Sequence, residues 1–118
     1  MKMAYIERKK KATRRRSDVR AGARQEVYQS ALWKKLRTQK LMETPLCEVC
    51  LLQDKVKGGD HVHHIVSFAD AIDLTERDRL AYDPANLMTV CEECHGRIHG
   101  GDLRGCRSLE EIKRRIGS

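Results

Sequence analysis

The sequence predicts a small α+β domain with short buried strands and flanking helices, held by something besides its hydrophobic core. Three observations carry that expectation. The chain has 118 residues with only 4% aromatics, too little apolar bulk to hold a domain without a staple. Four of its five cysteines form two C-x-x-C pairs, Cys47/Cys50 and Cys91/Cys94, the pattern of a metal site in a reducing compartment. Short β-branched or apolar runs, His61 to Val66 and Leu87 to Val90, lie between stretches of helical periodicity.

The elements follow in chain order. Residues 1–23 are basic and poor in apolar side chains, with clusters at Lys9, Lys10, Lys11 and at Arg14, Arg15, Arg16. They read as a disordered arm able to touch phosphates. The domain proper is expected over 24–118. From Arg24 to Met42, Val27, Tyr28, Ala31, Leu32 and Leu36 recur at helical spacing, with Trp33 assigned to the core, until Thr44 and Pro45 stop the helix. Gly58 and Gly59 mark a turn before the first strand. Ser67 to Pro84 is a long polar connection with a helical turn at Thr75 to Leu80. After the second strand, the Cys91 knuckle leads into a short helix ended by Gly100 and Gly101. Ser108 and Glu111 form a capping box for a last helix that ends near Gly117.

Charge and hydropathy narrow the partners. Charged residues make up 35% of the chain and the formal net charge is +7, which suits a polyanion such as nucleic acid. No apolar run approaches the roughly 20 residues that a membrane helix needs, and the basic start lacks the apolar region of a secretory signal. A cytoplasmic protein without membrane partners is expected.

Two tight turns, each offering two thiolates, can close a tetrahedron around zinc. A four-cysteine structural zinc site is therefore expected, tying the chain before residues 51–90 to the chain after them. Cys106 is left over, as a free thiol or a small buried hydrophobe. All five histidines, His61, His63, His64, His95 and His99, lie in or beside the segment bracketed by the cysteines. His95 and His99 share one helical face and can hold one ion. Strand alternation puts His61 and His63 on the same face, so either can join that pair, and spacing alone leaves the choice open.

Val62-His63-His64-Ile65-Val66, then Asp83-Pro84-Ala85-Asn86-Leu87, then Cys91-Glu92-Glu93-Cys94-His95 resemble the signature of the HNH endonucleases. Tyr28-x-x-x-x-Trp33-x-x-Leu36-Arg37 and Pro45-Leu46-Cys47-Glu48-Val49-Cys50 resemble its short phage-type members. The resemblance spans residues 28–100. It implies a ββα-metal (His-Me finger) core and a metal-dependent DNA endonuclease with little sequence specificity, nicking or cutting both strands and leaving 3′-hydroxyl and 5′-phosphate ends. It implies that His64 is the general base and that Asn86 orients the base or substrate. His63, His95 and His99 are implied ligands of a catalytic divalent ion. Three imidazoles suit manganese, nickel or zinc better than magnesium, though all four are candidates. Arg97 and Arg104 are candidate phosphate contacts beside Arg14, Arg15 and Arg16. The phage-type likeness implies work as a monomer near DNA-packaging proteins in a host cell. A rival reading is a non-catalytic zinc-stapled DNA-binding module, or an accessory subunit of a DNA-processing machine. It accounts for the cysteines and the charge but gives the histidines no reason to converge.

Overall fold

The hairpin at the centre is only two strands wide. In the computed structural model, which describes residues 16–117, β1 (His61–His64) pairs antiparallel with β2 (Leu87–Val90). The register sets His61 opposite Val90, His63 opposite Met88 and His64 opposite Leu87. A two-stranded ribbon this short has no independent stability in water, so helices cover it. Every residue of β2 is buried, which explains why its sequence is an unbroken Leu-Met-Thr-Val run without polar alternation. Met88 and Val90 join the cluster that holds the cysteines, Ile98, Leu103 and Ile112. Leu87 joins a second cluster with Val27, Trp33, Phe68 and Ala81. The ribbon is thus a wall between two small cores.

Helix α1 (Arg16–Gln29) precedes α2 (Ala31–Glu43). The helical pattern expected from Arg24 to Met42 is therefore two helices, and the first begins inside the stretch read as an arm. Periodicity misses the break because Val27 and Ala31 keep the i, i+4 spacing across it. Ser30 makes the break. It is extended (φ −71°, ψ 146°), its Oγ accepts from Trp33 N–H at 3.2 Å, and the same hydroxyl donates to the Val27 carbonyl at 2.6 Å. One serine ends α1 and caps α2. The early start of α1 suits Asp18 in its first turn, which favours the positive end of the helix. Arg14 and Arg15 lie outside the described residues.

Beyond α2, Cys47 caps the short helix α3 (Glu48–Leu52), and Leu46 bridges Gly58. Glu48 accepts from Thr89 N–H at 2.7 Å and pairs with Lys40 Nζ at 3.3 Å, pinning α3 to both β2 and α2. Gly59 lies so close to β2 that a Cβ there would collide with the Thr89 methyl. Strand β1 ends at His64, two residues short of the expected Val66. The N–H groups of Ile65 and Val66 go instead to the backbone carbonyl and side-chain Oδ1 of Asn86, both at 2.8 Å.

The connection between the strands carries α4 (Leu74–Ala81), capped by Asp73, and a 3₁₀ turn at Pro84–Asn86. Helix α5 (Glu92–Gly100) follows β2 directly, completing a strand–strand–helix unit, and α6 (Leu109–Ile116) is capped by Ser108 as expected. Among the described residues, no helix is long and apolar enough to cross a membrane.

Gly59→Ala should lose about 1–3 kcal/mol, the usual cost of overpacking. Gly58→Ala, which meets no atom within 4 Å, should stay within about 0.5 kcal/mol of wild type. Urea denaturation of the two variants checks this difference.

Candidate metal centre and active-site cleft

Cys47 and Cys91 each start a helix, and each sulfur accepts the backbone N–H three residues on, from Cys50 and Cys94, at 3.4 Å. That turn geometry aims both sulfurs of a pair the same way. The two pairs meet: all four sulfurs are buried and lie within 4.8 Å of one another. Cys50 Sγ is 3.8 Å from Cys91 Sγ and 3.7 Å from Cys94 Sγ. A thiolate tetrahedron with bonds of about 2.3 Å has edges of about 3.8 Å. Burial and the Cys47 thiol push Cys50 up to about 11. Burial also opposes ionisation of Cys91, but the Cys94 N–H and the surrounding thiols outweigh it and hold Cys91 near 7. Four thiols packed this closely ionise together only around a cation. The donor set therefore fits a tetrahedral metal. Cys106 is buried but stands outside the group.

A second group forms where the same helix meets β1. One nitrogen each of His63, His95 and His99 falls within 4.8 Å of the others. His63 projects from β1, and His95 and His99 sit one turn apart on α5, whose start is fixed by Cys91 and Cys94. His95 Nε2 and His99 Nε2 are 2.9 Å apart. Two imidazoles bound at a right angle to one ion at about 2.1 Å would be about 3.0 Å apart. Burial, then His99, His95 and His64, hold His63 down at about 4. Burial and the neighbouring imidazoles also lower His95. His63 and His95 thus present lone pairs rather than protons at neutral pH, as ligands must.

His61, the rival for this group, is not in it. Its ring stacks on His95 at 4.5 Å, and its Nε2 bonds Glu92 at 2.9 Å. Its register partner is Val90, two residues nearer the start of α5 than Met88.

His64 points to the other face of β1 and is buried, 6% exposed. Its ring stacks on Trp33 at 4.7 Å and meets Phe68 edge-on at 4.7 Å. Its Nε2 bonds the Ala81 carbonyl at 2.9 Å, while Nδ1 has no partner among the described residues. A carbonyl only accepts, so Nε2 carries the proton and Nδ1 the lone pair. Burial lowers the pKa of His64, with the Ala81 bond opposing it. Among the described residues, Asn86 forms no hydrogen bond with a histidine side chain. Its amide donates to the carbonyls of Val66 and Leu80 at 3.0 and 2.8 Å, and its oxygen accepts from Val66. It braces the backbone beside Ala81, the residue that anchors His64.

His63, His64, His95 and His99 line a cleft of about 450 Å³. Arg97 and Arg104 do not line it. Arg97 is held by Asp102 in a bidentate pair at 2.9 and 2.8 Å, and that pairing raises its pKa. Arg104 is exposed outside the cleft. The cations that do line it are Arg20, Arg24 and Arg107, which the sequence reading missed. Arg20 and Arg24 keep i, i+4 spacing with Tyr28, a stripe that the assigned arm boundary cut in two.

The HNH endonuclease family matches residues 47–101. Among solved structures, the chain is similar to the crystal structure of an HNH endonuclease of the deep-sea thermophilic bacteriophage GVE2 with manganese ion. The two are 30% identical, with a TM-score of 0.58 over 72% of this chain and 87% of that one. No curated protein matches the chain.

Cys94→Ser should lose one equivalent of tightly held metal per chain and much of its stability, because metal binding and folding are coupled. Cys106→Ala should keep the metal. Metal content by elemental analysis, with thermal melts, tests both.

Proposed function

The chain belongs to the HNH endonuclease family, and we propose that it hydrolyses phosphodiester bonds in DNA with little sequence specificity, nicking or cutting both strands. One observation carries the residue assignments: three imidazoles converge beside a buried histidine whose Nδ1 is unengaged. His63, His95 and His99 would hold a divalent ion, and Cys47, Cys50, Cys91 and Cys94 a structural zinc. The ion supplies a Lewis acid for the negative charge that develops on phosphate. Three neutral ligands suit a transition metal, and the manganese in the GVE2 endonuclease structure makes manganese the first candidate, ahead of nickel, zinc and magnesium.

The chain's own residues do the rest. His64 acts as general base: the Ala81 carbonyl fixes its tautomer, and Nδ1 takes the proton from the attacking water. Its lowered pKa keeps it in the accepting form at neutral pH. Asn86 is a positioning residue, holding the segment that carries the Ala81 carbonyl. The +7 charge draws the polyanion in without reading its sequence. We read it as a phage-encoded monomer working on DNA in the host cytoplasm, beside the packaging machinery; the likeness to a phage enzyme supports the phage origin.

Nicking of supercoiled plasmid tests the reading. Wild type should cut with added manganese and stop in EDTA. His64→Gln, which keeps a side chain between Trp33 and Phe68, should be roughly 10²–10⁴-fold slower, the usual worth of a general base. Wild-type rates in a folded His64 variant would remove the base assignment. A folded, metal-loaded wild type that cuts in no metal would leave a DNA-binding module or a subunit awaiting a partner.

A further inference from the structure

Two arginines give the cleft a direction. On α1, Arg20, Arg24 and Tyr28 recur every four residues and form one stripe. The stripe runs toward the histidines, since the Tyr28 ring lies 6.1 Å from that of His64. Arg24 is one turn back, about 5.4 Å along the helix. It lines the cleft, and its charge acts on the Tyr28 hydroxyl. Arg20 is committed to Asp70, at 3.1 Å. Arg107 reaches the same cleft from the segment between α5 and α6. That segment is fixed: Leu103 is fully buried, Arg115 of α6 donates to the Arg104 carbonyl at 2.6 Å, and Arg107 N–H donates to Glu111 at 2.9 Å. Among the described residues, neither Arg24 nor Arg107 forms an ion pair. The contrast with Arg97 matters, because Arg97 is neutralised by Asp102.

Two guanidiniums from separate elements, neither ion-paired among the described residues, line the same cleft as His63, His95 and His99, and guanidinium is built to grip phosphate oxygens in pairs. We propose that Arg24 and Arg107 hold the two phosphates that flank the scissile one, so the cleft takes a strand of at least three consecutive phosphates rather than an isolated phosphodiester. This rests on the nuclease reading and extends it to how the strand is threaded.

The test measures binding apart from cutting. The probe is a fluorescein-labelled 20-base-pair duplex, bound to His64→Gln protein loaded with manganese, with Kd followed by anisotropy against potassium chloride. Arg24→Ala and Arg107→Ala should each flatten the salt slope by about 1 and weaken binding roughly tenfold at about 0.1 M salt. Arg24→Lys should restore the slope, which a purely structural role would not predict. In the background with native His64, both alanine variants should raise the KM for plasmid more than they lower kcat. Unchanged slopes in the alanine variants would overturn the clamp, as would an Arg24→Lys variant as flat as Arg24→Ala. A wild type that cuts no DNA in any metal, while the arginine variants still flatten the slope, would sink the nuclease reading and leave the two arginines as strand contacts with no scissile phosphate to flank.

Discussion

The convergence of Cys47, Cys50, Cys91 and Cys94 is the constraint on which the rest of the structure depends. The ribbon they bracket is too short to hold itself, and each core cluster beside it is small. Bringing the two knuckles to one point fixes the start of α3 and the start of α5 together. Once α5 is fixed, His95 and His99 have one orientation, and the register of β1 on β2 brings His63 to them. The candidate catalytic group is therefore a consequence of the cysteine group that fixes the start of the same helix. The same logic explains why four buried thiols are tolerated: without an ion they crowd each other, and with one they close a fold that its apolar residues leave loose.

Much of this was legible in the sequence, for reasons that differ by residue. The cysteine pairs were legible because a two-residue gap has few other uses. The pairing of His95 with His99 was legible because helical spacing fixes the angle between side chains. The family resemblance chose His63 over His61, where alternation alone left both. The geometry gives the physical reason: His61 lies close enough to the start of α5 to be taken by Glu92. Periodicity carried α2 but ran straight through Ser30, since a cap is a single residue and leaves apolar spacing intact. Arg97 and Arg104 show the limit for surface charge. Whether an arginine meets a phosphate or an aspartate five residues away is decided by where a loop turns, and Asp102 decided it for Arg97.

Asn86 shows another limit. The family resemblance implied that it orients the base or substrate without saying through which group, and its amide is used entirely on backbone groups across the neck of the inserted segment. The insertion leaves the ribbon at Val66 and returns at Asn86, so one side chain closes it. Inside the loop so closed sits the Ala81 carbonyl, the hydrogen-bond partner of His64. The long polar connection that looked like filler between two strands is what sets the tautomer of the buried histidine.

The same burial has a practical side. Trp33 is the single tryptophan of the chain, and its indole stacks on the His64 imidazole at 4.7 Å. The protein therefore carries an intrinsic fluorophore whose nearest aromatic neighbours include the ring assigned as base. Its emission colour and intensity report on that pocket, so events around the His64 ring can be followed optically without attaching a dye.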